Sequence, residues 1–310
     1  MILTVTMNPA LDKIYIIDNF EVDKIHRINN MEVNAAGKGV NVARVIKQTG
    51  TEVMATGIIG GTTGQYIKQE INQVEIINEF VKIKDNTRTN IKVVDNDKNT
   101  TTELLEAGPE VSSAEKNEFL NHFKNIVDDC EIIAGCGSLP PALPNDFYQK
   151  LIKIARGKNS KFILDTSGES LKKGIREKPY MIKPNREEVE NLMGQKYKKP
   201  AELVEPLREF RELGIKLPVI TLGADGCITL IEDQVYYFPA LSLEAKNVVG
   251  SGDAFIAGCA VGLKNRQNII EVIKLGMACA HANTQFYKTG MISKNLVDKY
   301  YDLIKPEKIT

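Results

Sequence analysis

The chain has 310 residues, 43% of them hydrophobic and 26% charged, and its forty basic and forty acidic side chains cancel. Those figures fit a soluble globular protein of one large α/β domain or two ordinary ones, and they lack the basic excess of a nucleic-acid-binding surface. No apolar run approaches the roughly 18 residues of a membrane span, the start MILTVTMNPALDK has no signal-peptide pattern, and the five scattered cysteines, Cys130, Cys136, Cys227, Cys259 and Cys279, have no CxxC pair; the last three lie in apolar stretches, which predicts reduced, packed thiols in a cytoplasm.

The first strand is ILTVTM, residues 2–7, closed by Asn8-Pro9. Up to about residue 105 the chain reads as short strands and turns, among them KIYIID (13–18), EVMATGIIG (52–60) and RTNIKVVD (88–95). One helix, GVNVARVIKQTG, interrupts them and ends at Gly50. The short early strands other than 52–60, within about 12–34 and 80–105, are expected to form an antiparallel flap over the main sheet.

Beyond about residue 110 helices and strands alternate. SSAEKNEFLNHFKNIVDD is a helix starting near Ser113, EIIAGCG a strand, NDFYQKLIKIARG a helix, KFILD and YMIKP strands, and REEVENLMG a helix ending on Gly194. AELVEPLREFRELG is a helix that Pro206 should bend or break. LPVITLG and CITLIED are strands, QVYYFP pairs with the latter, and the stretch KNVVGSGDAFIAGCAVGL and two C-terminal helices follow. This alternation, with Ile/Val-rich strands that do not alternate in polarity, predicts a mainly parallel sheet with helices on both faces, a single domain over 1–310 with a small β-flap.

Ligands of such sheets sit outside the carboxyl ends of the strands. Those ends carry Asp12 in NPALD, Ser138 in GSLPPALP, Asp165 in ILDTSG, Lys183, Asn185 and Glu188 in IKPNREE, and Thr221, Gly223 and Gly226 in TLGADG. Each alone is equally ordinary turn chemistry; together they suit a long polar ligand across the sheet edge. VNAAGKGVNVAR puts Gly37, Lys38 and Gly39 at a helix start, with Asn41 one turn in, where backbone and ammonium can approach an anion without the Walker spacing. Arg88 and Arg27 in the flap are candidates for bidentate phosphate contacts, or plain surface residues. In VVGSGDAF the free N–H groups from Gly250 to Asp253 form a nest for an anion at a helix N-terminus. On that motif alone Asp253 is as much a first-turn acid as a base for a hydroxyl.

NPALD, AAGKGVNVAR, GSLP, KPNREE and GSGDAF, in that order along a match from residue 2 to about 304, resemble the signatures of the ribokinase-like (PfkB) carbohydrate kinases. TMNPALD, TRTNIK and TTELLEAGP resemble the branch that acts on ketohexose monophosphates, the 1-phosphofructokinase and tagatose-6-phosphate kinase group. The resemblance implies a three-layer α/β/α fold with a lid, ATP and Mg²⁺ as cofactors, and fructose 1-phosphate or tagatose 6-phosphate as acceptor. It implies Asp253 as base, and Gly250, Ser251 and Gly252 as anion hole. Asp12, Gly37, Lys38 and Asn41 would hold the sugar, and Arg88, Ser138 and Arg27 its phosphate. Lys183, Asn185, Glu188, Thr221, Gly223, Gly226 and Asn247 would sit on the nucleotide side, with Glu188 and Asp165 near the metal.

The chain departs from the family pattern at Ala36, Cys136, Val248 and Ser251, none of which removes a catalytic group. A kinase of an unphosphorylated sugar or nucleoside, and a non-catalytic sugar-phosphate sensor, stand as alternatives. Open strand edges in the flap offer a surface for a homodimer through the lid.

Overall fold

Strands buried on both faces build the centre of the molecule, as their unbroken apolar runs predict. The computed structural model describes residues 1–309. β1 (Ile2–Thr6) leads into β2 (Ala10–Ile17) and β3 (Asn30–Ala36), and α1 (Lys38–Gln48) follows at once. Next come β4 (Val53–Gly60), α2 (Gly61–Gln73), the short β5 (Ile77–Asn78) and β6 (Val81–Ile83), then β7 (Arg88–Asp95) and β8 (Thr100–Leu105). The alternating part runs α3 (Ser113–Ile126), β9 (Ile132–Cys136), α4 (Phe147–Gly157), β10 (Lys161–Asp165), α5 (Gly168–Ile175), β11 (Met181–Ile182), α6 (Arg186–Met193), α7 (Val204–Glu212) and β12 (Leu217–Thr221). β13 (Cys227–Ile231), β14 (Gln234–Phe238), α8 (Ser251–Lys264), α9 (Ile269–Asn283), α10 (Lys294–Leu303) and β15 (Glu307–Lys308) complete it.

The main sheet has the order β15-β14-β13-β12-β11-β10-β9-β1-β4, with β5 and β6 both pairing the outer side of β4. It is parallel from β12 to that edge and antiparallel from β12 through β13 and β14 to β15. Successive residues of a strand face opposite ways, so two cores form. One joins Ile2, Ala55 and Ile163 to apolar residues of α1, α2, α8, α9 and α10. The other joins Leu3, Val5 and Leu164 to α3, α4, α5, α6 and α7. Three layers, α/β/α, result, as expected.

The second sheet has the order β3-β2-β7-β8. It was expected to be antiparallel, but β2 and β7 run parallel in register from Ala10–Arg88 to Ile17–Asp95. The excursion through β4 and α2 brings the chain back in the direction of β2, which a two-strand hairpin could not do. Val81–Ile83 pairs with β4 in the main sheet, so the second sheet takes only the part from Arg88 onward in this stretch.

Two further local readings are corrected. The region before residue 105 holds a second helix, α2, whose buried face is only Gly64, Ile67 and Ile71. Its opening Gly-Thr-Thr-Gly carries no helical pattern, and helix α5 hid in the same way behind Thr-Ser-Gly. Pro206 does not interrupt an α-helix; the stretch read as one helix divides before it, into a 3₁₀ turn at Pro200–Leu203 and α7. Pro206 is the third residue of α7, where the N–H it lacks would have had no intrahelical acceptor. Helix α3 starts at Ser113 as read, with Ser112 as its cap, reciprocally bonded with Glu115. Among the described residues no helix is long and apolar enough to cross a membrane.

Candidate active site

The first turn of α1 lies on the end of β1, and glycine is what lets it. A Cβ on Gly39 would stand 2.3 Å from Thr6 Oγ1 and 2.9 Å from the Val5 carbonyl oxygen. Gly37 before it has φ +123°, a conformation side chains disfavour. Ala36, at the position of a frequent family glycine, has no positive φ, so its methyl is accommodated. This seating aims Lys38 and Asn41 at the carboxyl edge of the main sheet.

There they meet three strand ends. Asp165, 1% exposed at the end of β10, lies 3.5 Å from Lys38 Nζ and 3.2 Å from Lys183 Nζ, which follows β11. Burial works against the Asp165 carboxylate, but Lys183 and then Lys38 outweigh it and hold its pKa below the usual value. In return Asp165, against the opposing pull of burial, keeps Lys38 protonated well above its ordinary range. The two ammonium groups thus share one firm carboxylate, leaving a positive charge at the sheet edge.

Asp253 lies in the first turn of α8, only 6% exposed. The Asn41 amide donates to its Oδ2 at 2.8 Å, joining the first turns of α1 and α8. Burial, and next the charge of Asp165, push its pKa up to about 6, against the stabilising Asn41 bond. A carboxylate so poised can take a proton near neutral pH.

The nest ahead of it is narrower than the sequence implied. Gly250 is left-handed at φ 82°, and a Cβ on it would meet the Thr289 methyl at 2.3 Å. Ser251 turns away: its N–H and its hydroxyl both bond the Val248 carbonyl, at 3.3 and 2.8 Å. The N–H groups of Gly252 and Asp253 have no acceptor among the described residues. Lys183 stands beside them, its Nζ 3.5 Å from where a Gly252 Cβ would be. Two free donors and an ammonium converge beside the raised carboxylate, an arrangement for holding an anion next to a base.

Asn185 and Glu188 cap α6 reciprocally, each side chain accepting the other's backbone N–H at 2.8 Å. One Glu188 oxygen is thereby fixed and the other is left open. Burial, opposed by the Asn185 N–H and Lys183, raises its pKa. Thr221 bridges to Asn185 at the end of β12, and the turn carrying Gly223 and Gly226 follows. Asn247 lies before α8, its amide bonded to the Tyr287 carbonyl at 2.7 Å.

The second sheet presents another polar face. Arg88, Asn90 and Lys92 alternate on β7, so they share a side. The Asn90 amide donates to Asp12 Oδ1 at 2.9 Å, and Lys92 lies 4.0 Å from Oδ2. Arg88 donates to the carbonyls of Glu106 and Asn8, at 2.9 and 3.1 Å, and the Asn8 amide reaches Ser138 Oγ at 3.5 Å. No carboxylate forms an ion pair with Arg88 among the described residues, and its Nε is buried without a partner, as are Asn8 Oδ1 and Asn90 Oδ1. Buried polar atoms are rarely left unmatched, so an external polar ligand is the natural complement of these three.

The structure therefore gathers Gly37, Lys38, Asn41, Asp165, Lys183, Glu188, Gly252 and Asp253 at one edge, with Asp12, Arg88 and Ser138 linked nearby through Asn90 and Asn8. Arg27 is not drawn in; it is exposed on the loop between β2 and β3, with no polar partner among the described residues. Asn8, Asn90 and Lys92 escaped the sequence reading. The period of two on β7, counted outward from Arg88, would have found the latter pair. Among the described residues no three His, Cys, Asp or Glu side chains cluster to hold a metal.

Residues 5–295 match the family model described as pfkB family carbohydrate kinase. A possible 1-phosphofructokinase from Thermotoga maritima is 26% identical, covering 100% of this chain and 99% of its own, with a TM-score of 0.88. Two structures of phosphofructokinase-2 from Escherichia coli, one in complex with substrates and products and one in a tetrameric inhibited form, are each 24% identical. Each covers 97% of this chain and 98% of its own, with a TM-score of 0.90; at that identity they speak for the fold.

Proposed function

The chain belongs to the pfkB family of carbohydrate kinases, phosphotransferases with an alcohol acceptor, and we propose that it transfers the γ-phosphoryl group of ATP to a ketohexose monophosphate. The favoured reaction converts fructose 1-phosphate to fructose 1,6-bisphosphate. The observation that carries a phosphorylated acceptor is Arg88, a half-buried guanidinium with no carboxylate partner and an unused Nε–H. Two backbone carbonyls and the more distant charges of Asp12 and Glu106 steady the guanidinium, and a substrate phosphate would use the Nε–H that they leave free. The name of the 26%-identical relative, a possible 1-phosphofructokinase, agrees with this acceptor class.

In this reading Arg88 and Ser138 hold the acceptor's phosphate, steadied by Asn8. Asp12, Gly37, Lys38 and Asn41 hold its hydroxyls. Asp253 accepts the proton of the attacking hydroxyl as the new O–P bond forms in line and the bond to the departing ADP breaks. The Gly252 and Asp253 N–H groups and Lys183 meet the negative charge of the transferring group. Fixed donors in a water-poor site are effective because they need no reorganisation during the step. Thr221, Gly223, Gly226 and Asn247 border the nucleotide.

The donor set fits Mg²⁺ carried on the nucleotide phosphates with most of its waters, since Glu188 offers one open carboxylate oxygen and no carboxylate cage is needed. When bound, the ion would neutralise charge on the β- and γ-phosphates. Asp165 suits the role of counter-ion to Lys38 and Lys183 better than that of metal ligand, since both its oxygens face ammonium groups. The second sheet would close as a lid and exclude water from the transfer. Five buried, unpaired cysteines support a reducing compartment, the cytoplasm.

Exposed apolar residues away from the Arg88–Asn90–Lys92 face, Met31 on β3 and Leu104 on β8, with the exposed Ile28 just before β3, support a homodimer through the lid. Analytical ultracentrifugation is expected to show a dimer that Met31→Glu with Leu104→Glu converts to monomer; a wild-type monomer at micromolar concentration contradicts this.

An ADP-release assay over fructose 1-phosphate, fructose 6-phosphate, tagatose 6-phosphate and the free sugars tests the acceptor. Fructose 1-phosphate is expected to give the highest kcat/KM, and Arg88→Met to lower it by ~10²-fold or more for the phosphorylated acceptor. Preference for a free sugar, unaffected by Arg88→Met, would refute a phosphorylated substrate. Asp253→Asn is expected to lower turnover by at least ~10²-fold, the usual share of a general base. Calorimetric ATP binding should stay near wild type. Turnover close to wild type in that variant sinks the assignment of Asp253 as base.

A further inference from the structure

The left-handed turn at Gly250 aims the Gly252 and Asp253 N–H groups, and local bonds hold it: Ser251 to the Val248 carbonyl, the Ala254 N–H to the Gly250 carbonyl, and the Val249 N–H to Asn247 Oδ1. What ties it to the rest of the fold is two carboxamides, each the last residue of another helix. Asn283 ends α9 and is 1% exposed. Its Nδ2 donates to the Val249 carbonyl at 3.0 Å, immediately before Gly250. Its Oδ1 accepts the Gly290 N–H at 3.0 Å. Gln48 ends α1 and grips the same segment from the other side. Its Nε2 donates to the Gly290 carbonyl at 2.8 Å, and its Oε1 accepts the Ile292 N–H at 2.9 Å.

The gripped segment also touches the site. Thr289 packs over Gly250, in the space a side chain there would take, and Gly290 packs on Asn41, a Cβ on it coming within 3.4 Å of Asn41 Cα. Asn41 in turn holds Asp253 at 2.8 Å. The path therefore closes: α1 through Asn41 to Asp253, back from Gly250 and Val249 to Asn283, on to Gly290, and through Gln48 to α1 again. Apart from the Asp253 carboxylate that Asn41 holds, the side chains that make the links are amides, which do not ionise over the working pH range.

We propose that Gln48 and Asn283 are positioning residues that brace segment 289–292 between α1 and α8, and so set the aim of the anion-holding N–H groups relative to the acceptor-binding helix. The role in transfer rests on the kinase reading above; the brace itself does not. Gln48 touches no expected substrate contact, so it acts through the segment it holds. A misplacement near 1 Å in such a site costs about 10²-fold in rate.

Two measurements on Gln48→Leu and Asn283→Ala separate the claims. Hydrogen exchange of the hydrogen-bonded amides of Val249 and Ser251, without ligands, is expected to speed up by ~10-fold or more if the brace holds that turn. Unchanged exchange there overturns the brace, whatever the enzyme's activity. Steady-state kinetics are then expected to show kcat lowered by ~10-fold or more with both KM values within ~3-fold of wild type, the pattern of an interaction felt in the transition state. Gln48→Glu keeps the acceptor for Ile292 and should recover part of kcat; it also serves if Gln48→Leu does not fold. An unchanged kcat beside a lowered Tm, or raised KM with kcat intact, contradicts positioning. Faster exchange in a protein that phosphorylates no acceptor would leave the brace standing and remove the kinase reading instead.

Discussion

A carboxylate held out of water at the mouth of a helix is the constraint around which this site is built. Water would stabilise the charged form of Asp253, so burial costs free energy and raises its pKa to about 6. The fold bears that cost through one neutral bond from Asn41 and through the positive N-terminus of α8. Capping and base chemistry are compatible here. The helix terminus that tolerates a carboxylate also supplies the free N–H groups of Gly252 and Asp253, which suit an anion beside it.

Everything else at the edge serves to balance that carboxylate without neutralising it. Asp165 draws Lys38 and Lys183 to itself at 3.5 and 3.2 Å, which keeps both ammonium groups beside Asp253 but not paired with it. A direct lysine partner would pull the Asp253 pKa down and leave a weaker base. The parallel sheet delivers these groups cheaply, because β1, β9, β10, β11 and β12 all end at the same edge. The second sheet adds a face of Arg88, Asn90 and Lys92 that no single strand end could provide.

The main sheet and most of its helices were legible in the sequence, because buried parallel strands write themselves as unbroken Ile/Val runs. Helices α2 and α5 were not, since glycine and threonine at their starts conceal a narrow apolar face. The parallel pairing of β2 with β7 was also hidden, because it depends on where intervening elements return the chain rather than on either strand's own residues. At the site, the charged and glycine positions stood out by type and by family resemblance. Asn8, Asn90, Gln48 and Asn283 did not. A carboxamide is commonplace on surfaces and in turns, and only its partners reveal that it is bracing or completing a site. Ser251 shows the reverse: prominent in the motif, it turns its hydroxyl back onto Val248.

The pH dependence of kcat/KM tests the buried carboxylate most directly, because that ratio reports the free enzyme's ionisations. The phosphate ionisations of both substrates, fixed by ³¹P titration under the same conditions, are divided out. A base must be unprotonated to act, so the remaining profile is predicted to fall on the acid side with a midpoint near the Asp253 value of about 6 and to level off above it. A remaining profile that is flat from about pH 5 to about pH 8 would contradict a titrating base at the mouth of α8.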